Sequence, residues 1–177
     1  MRPMSNAFVA LVVIALMLMA VLSWSQVSFG WVDSSIQSWK ETMKTAQEVS
    51  RTDIAVTGAN VTAPYVEVLT QNSGKVHLAQ FEDWDVLVQY YGGNSTYYIG
   101  SLAYTTDAAP SSDEWTVATI YTDDTRTQEE VFEPGVLNPG ELMLMRLRLN
   151  PQPGGNTTNL VAISSPNGVA TSAQFQG

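Results

Sequence analysis

The chain has no cysteine and one histidine, His77, in 177 residues. The first absence excludes disulfides, thiolate metal sites and cysteine nucleophiles. The second excludes a metal site built from several imidazoles. Charge is also scarce, at 14% Asp, Glu, Lys and Arg, and cations are the scarcer sign, with 8 Lys and Arg against 17 Asp and Glu. Up to Thr52 the two signs nearly balance, whereas from Asp53 onward four cations are outnumbered by fourteen acids. That excess argues against nucleic acid as a partner, because phosphate binding needs clustered Lys and Arg. It suits an exterior surface that resists sticking to its neighbours. Apolar residues reach 45%, so a core without disulfide staples is within reach.

What the chain has in excess lies near its start. Residues 8–24, FVALVVIALMLMAVLSW, are seventeen positions without a charge, glycine or proline. The run is long for the 7–15-residue core of a secretory signal, its n-region holds only Arg2, and no A-x-A site follows in SQVSFGW, which disfavours a removable signal. It approaches the about 20 residues of a membrane span, and Trp24 and Trp31 suit a bilayer boundary. Beyond it, Val32, Ile36, Trp39, Met43 and Ala46 recur at spacings of four, three, four and three, which is one face of a helix. Gly30 alone interrupts good helix formers, at a cost of about 1 kcal/mol. The pattern predicts one long N-terminal hydrophobic α-helix from about residue 5 to 50, about 65–70 Å at 1.5 Å per residue. Its first half is apolar all round and its second half is striped.

A helix apolar on every side must be covered on every side, by lipid or by copies of itself. Two readings stay open: a membrane anchor with a juxtamembrane helix, or a helix that leaves the bilayer and packs in the core of a filament. In the second, the packing residues are Phe8, Leu11, Val12, Leu16, Met19, Leu22, Trp24, Val27, Trp31, Ile36, Trp39 and Met43.

From Asp53 the period changes to alternation. Strands are predicted at 53–57, 65–71, 83–91, 96–104, 115–122, 141–149, 159–164 and 169–175. In YVEVLTQ, Val66, Val68 and Thr70 share one face; in DWDVLVQYY, Trp84, Val86, Val88 and Tyr90 do. Turn signals separate the runs, among them Asn72-Ser73-Gly74, Gly92-Gly93-Asn94 and Asn138-Pro139-Gly140. The expected class is α+β, with residues 1–52 as an assembly helix and 53–177 as an antiparallel immunoglobulin-like β-sandwich. In ELMLMRLRL, Arg146 and Arg148 share a face, read as solvated or as meeting the acidic surface of a neighbour.

Chemistry is hard to find. Asp107, Asp113, Glu114, Asp123, Asp124, Glu129 and Glu130 fall in two loops that could supply oxygen ligands to calcium, but the spacing and mid-loop glycine of an EF-hand are missing. Solvated acidic loops are the plainer reading, and no cofactor is expected. No G-x-S-x-G elbow, phosphate loop or H-E-x-x-H occurs, and no enzyme is expected. Three N-x-[ST] sequons, at Asn60, Asn94 and Asn156, fall in expected turns where a glycan fits.

An apolar N-terminal helix leading into a small β-sandwich resembles type IV pilin-like filament subunits. VEVLTQNSGKVHL, FEDWDVLVQYY, EPGVLNPGELMLMRLRL and PNGVATSAQF, in that order, resemble the strand–turn–strand, next strand, late turn and C-terminal hairpin of the archaeal flagellins (archaellins). The first acid is Asp33, whereas bacterial pilins carry a glutamate at the fifth mature position, and this favours the archaellin branch. The resemblance implies a short leader removed by a prepilin-type peptidase just before the apolar run. Ala7 is the one small residue in that place, after Ser5 and Asn6, and the expectation is a chain whose leader has already gone. It also implies a membrane-inserted precursor, an ATP-driven assembly platform, self-polymerisation, and an extracellular filament for motility or adhesion. Archaellum-associated anchor proteins share the plan and supply the second reading; an anchored carbohydrate-binding module supplies a third.

Overall fold

A computed structural model describes the backbone of residues 4–177 and the side chains of residues 8–24 and 35–177. Helix α1 spans Met4–Arg51 and is followed by eight strands: β1 (Ile54–Thr62), β2 (Tyr65–Asn72), β3 (Asp85–Tyr91), β4 (Tyr97–Tyr104), β5 (Glu114–Tyr121), β6 (Leu142–Arg148), β7 (Thr158–Ser164) and β8 (Ala170–Gln176). The chain divides into two compact units, Met1–Ala46 and Gln47–Gly177.

The helix forms where the sequence is free of proline and rich in Ala, Leu and Met. Polar positions in its later turns are absorbed locally: Thr42 and Thr45 hydroxyls donate to the carbonyls of Ser38 and Glu41 at 2.9 and 3.1 Å. It ends where β-branched residues begin, and its last carbonyls find partners. The Thr52 N–H donates to the Glu48 carbonyl (2.9 Å), and the Lys75 N–H donates to the Arg51 carbonyl (2.8 Å).

The strands lie in the order β1-β2-β6-β5-β4-β3-β7-β8. Two antiparallel halves, β1-β2-β6-β5 and β4-β3-β7-β8, are joined by a short parallel pairing of β4 with β5, Ala103 opposite Glu114 and Tyr104 opposite Trp115. At the far ends of the order, β1 and β8 pack together, so the sheet nearly closes. This corrects the purely antiparallel sandwich: the loop between β4 and β5, unlike a tight hairpin, returns the chain in the same direction. Period-2 patterning is the same for both directions. The one long helix expected at the N-terminus forms over Met4–Arg51, but it is not apolar throughout. It is apolar on every side only over 8–24, because polar residues stripe it from Ser35 onward. Among the described residues no helix is long and apolar enough to cross a membrane.

Alternation sets the core. Val66, Val68 and Thr70 of β2, Trp84 with Val86, Val88 and Tyr90, Met143, Met145 and Leu147 of β6, and Val161 and Ile163 of β7 are all buried. Each large apolar side chain withdrawn from water stabilises by about 1.5–3 kcal/mol.

One buried amide ties the far parts of this fold together. Asn72, at the end of β2, is fully buried. Its Nδ2 donates to the carbonyls of Val76 (2.8 Å) and Leu137 (2.9 Å), and its Oδ1 accepts from the Gly74 N–H (3.1 Å). Its main chain bonds to Glu141 and Gly140. Gly74 is required by close approach, since a Cβ there would lie 2.5 Å from the Asp53 nitrogen. Within the Asn138-Pro139-Gly140-Glu141 turn, the Glu141 carboxylate accepts from the Asn138 N–H (2.6 Å) and its Nδ2 (3.1 Å). Gly140 has φ +91°, a conformation that favours glycine. Replacing Asn72 by Ala removes the side-chain donor from both carbonyls, of which Leu137 keeps only the Leu78 N–H, and leaves a cavity where the buried amide stood. A stability loss on the order of 2–4 kcal/mol is expected in urea unfolding, and a loss below about 0.5 would contradict the role given to this amide.

Candidate assembly surface

Helix α1 carries the proposed packing residues on one element, and those with described side chains are exposed. Phe8, Leu11, Val12, Leu16, Met19, Leu22 and Trp24 are exposed, as are Ile36, Trp39 and Met43, with Phe8 at 70% and Trp39 at 68%. Val27 and Trp31 lie outside the described side chains. From Ile36 the exposed apolar positions run at intervals of three, four and three to Ala46, while Ser35, Gln37, Lys40, Glu41 and Lys44 occupy the other sides. In residues 8–24 no polar side exists. Such a surface has no chemistry beyond burial, and it buries only against something equally apolar.

The sequons separate into two settings. Asn94 and Asn156 lie in turns, whereas Asn60 lies in β1, opposite Glu67, because β1 runs past the expected boundary through a register shift between Val56 and Gly58. All three are exposed. Asn94 already uses its side chain, with Nδ2 donating to Tyr98 Oη at 3.1 Å and Oδ1 accepting from the Thr96 N–H at 3.0 Å. A glycan there would take the place of the first bond.

The acidic residues do not converge. Among the described residues no group of three or more His, Cys, Asp or Glu could hold a metal ion. Asp123 instead serves its own loop. Its carboxylate accepts from the hydroxyls of Thr125 and Thr127 and from the N–H groups of Thr127 (3.0 Å) and Gln128 (2.9 Å). These bonds, the Thr125 hydroxyl first, hold its pKa well below the usual aspartate range. Glu130 accepts from the N–H groups of Phe132 (2.6 Å) and Glu133 (3.0 Å), which lower its pKa too. Arg146 is not simply solvated: its Nε donates to Glu67 Oε1 at 3.0 Å, across the β2–β6 register that sets the two opposite each other. His77 is exposed, with Nδ1 against Asn138 Oδ1.

A cleft of about 250 Å³ lies between β3, β4 and the Leu149–Asn150 corner. Its polar groups include the Tyr90 phenol, pushed up to about 12 by burial and then by Asp113, and Asp113 itself, which accepts from the Asn150 N–H at 3.2 Å. No nucleophile and base stand together there.

The sequence matches no family model and no curated protein. Comparison with solved structures finds the archaeal flagellum of Methanospirillum hungatei strain JF1, with TM-score 0.60 and 12% identity, over 96% of this chain and 91% of that one. The two chains share one fold. The match extends over the helix as well as the strands. The archaellum periplasmic stator protein FlaG from Sulfolobus acidocaldarius is similar over 70% of this chain and 99% of its own, at 20% identity and TM-score 0.50. The stator complex of FlaF and FlaG from the same organism matches over 69% and 87%, at 20% identity and TM-score 0.49. The archaellin resemblance read from the four motifs is thus matched at the level of fold.

Because Asp123 has a lowered pKa when folded, it contributes stability above its unfolded pKa of about 3.9, lost as pH falls through the lower folded value. Carboxyl NMR titration should find Asp123 below that reference, and Thr125→Val should move it back up. An unshifted Asp123 would contradict the loop geometry.

Proposed function

We propose that this chain is the structural subunit of an extracellular archaellum-like filament, polymerising through its N-terminal helix. Residues 1–52 act as the assembly segment and 53–177 as the outer domain. The observation that carries the reading is the run 8–24, apolar and exposed in every direction on a chain whose fold, helix included, matches that of an archaeal flagellum chain. Copies of the same helix cover one another, and the gain over lipid comes from close side-chain packing, since lipid already hides apolar surface from water. A head-to-tail contact that does not close yields a filament rather than a ring.

The acidic outer domain suits a surface that stays dispersed in water, with Asn60, Asn94 and Asn156 as places for glycans. A precursor held at the membrane by 8–24, a prepilin-type peptidase and an ATP-driven platform belong to the same reading. Seventeen residues fall short of the about 20 of a straight span, so the flanking sequence would complete the crossing. The filament serves motility if it is rotated at its base and adhesion if it is not.

The second reading is an accessory protein of the archaellum that stays at the membrane and binds the cell envelope. The similarity of the outer domain to a periplasmic stator protein favours it. Under that reading the striped part of the helix, residues 32–46, would be a spacer or a small oligomer contact, and a stripe rich in tryptophan and methionine exceeds what a spacer needs.

Leu16→Glu separates the two. It places a charge among apolar helices, and filaments should be lost while near-UV circular dichroism of the outer domain is unchanged. Normal filaments assembled from this variant would remove 8–24 from the packed core.

A further inference from the structure

The outer domain carries a second uncovered surface, unrelated to the helix. The outward positions of β4, β3, β7 and β8 form one face, fixed by register. Leu87 lies between Ser101 and Ala162, Gln89 between Ile99 and Leu160, and Tyr91 beside Tyr97, while Leu160 lies beside Gln174. Among the described residues of this face the one charged side chain is Asp85, at its edge, in a chain of net charge −9. Leu87, Tyr91, Tyr97 and Ile99 are exposed on it. The Tyr91 and Tyr97 rings lie 5.3 Å apart, and Tyr97 Oη donates to Gln89 Oε1 at 3.1 Å. Loss of charge together with gain of aromatic residues marks the centre of a protein–protein interface.

A different element offers the complement. Val131 and Phe132, in the connection from β5 to β6, are 76% and 95% exposed. They are not on a loose tip, because Glu130 accepts from the Phe132 and Glu133 N–H groups and fixes the backbone beneath them. Glu129, Glu130 and Glu133 surround this apolar tip with negative charge. It cannot land on the acidic remainder of another copy without repulsion. It can land on the part of this face away from Asp85, where serine and tyrosine hydroxyls and glutamine amides offer donors to its carboxylates. A cleft on that face, about 160 Å³ and lined by Gln89, Tyr91, Tyr97, Leu160 and Gln174, is close to the about 150 Å³ of a cavity that takes benzene.

We infer that Val131 and Phe132 of one copy dock on the β4-β3-β7-β8 face of a second copy, away from Asp85 at its edge, so that outer domains as well as helices join in the filament. The inference rests on the polymerisation reading. Two different patches, one on each partner, make a heterologous contact, the kind that repeats along a filament when its rotation does not close. The like charges of neighbouring outer domains then leave this pairing as their place of approach.

The test is photo-cross-linking in intact filaments, with p-benzoylphenylalanine in place of Phe132. A dimer on a denaturing gel whose cross-linked peptides come from β3, β4, β7 or β8 of the second copy is the expected result. Capture confined to its own chain, to α1 of a neighbour or to an unrelated protein would overturn the docking while leaving polymerisation standing. If the chain is absent from filaments and present in membranes, both fall. Phe132→Ser and Ile99→Ser, both at exposed positions, are each expected to lower the temperature at which filaments dissociate. The double variant should be no worse than the weaker single, whereas additive losses would place the two residues in separate contacts.

Discussion

A helix whose side chains are apolar in every direction imposes one requirement on everything around it: cover on all sides. Residues 8–24 of α1 meet that description, and the strand domain has its own closed core of Val66, Val68, Val86, Val88, Met143, Met145 and Val161. The domain therefore does not need the helix in order to bury its apolar side chains. Under the reading proposed above, lipid covers the helix before assembly and other copies cover it afterwards. The charge distribution follows the same division, with the acids concentrated after Asp53, where water is the neighbour.

Inside the strand domain the equivalent constraint is polar. A protein without disulfides must hold its loops by other means, and here one buried amide joins two of them. Asn72 satisfies carbonyls on two connections, at Val76 and Leu137, while Glu141 closes the neighbouring turn on Asn138. Satisfied networks of this kind specify one arrangement, because each unmet partner would be a buried penalty. The asparagine–glycine turn and the asparagine–proline–glycine–acid turn, far apart in the chain, are thus two halves of one joint. This gives a physical basis for both turns appearing in the archaellin resemblance.

The order and number of the strands were legible because alternation reports which side chains face a core. Val66 against Glu67, and Val86 against Leu87, are decided by that pattern alone. It does not report which strand lies beside which, or in which direction, so the parallel pairing of β4 with β5 was invisible, as was the Arg146–Glu67 pair that depends on β6 lying beside β2. Asn60 was misplaced into a turn because β1 continues past an irregularity that period-2 counting reads as an end. The apolar character of the helix was plain in the sequence, whereas what covers it does not follow from one chain alone. Phe132 was missed for a related reason: one phenylalanine among acids reads as an ordinary loop residue until its 95% exposure is seen.

The most direct measurement is the protein composition of filaments sheared from the native cell surface, quantified by mass spectrometry against washed membranes. If helices of this chain cover one another, it should be the dominant protein of the filaments, present in the amount expected of a repeating unit. If it is absent from filaments and abundant in membranes, the residues 8–24 are covered by lipid, and the polymerisation account is wrong.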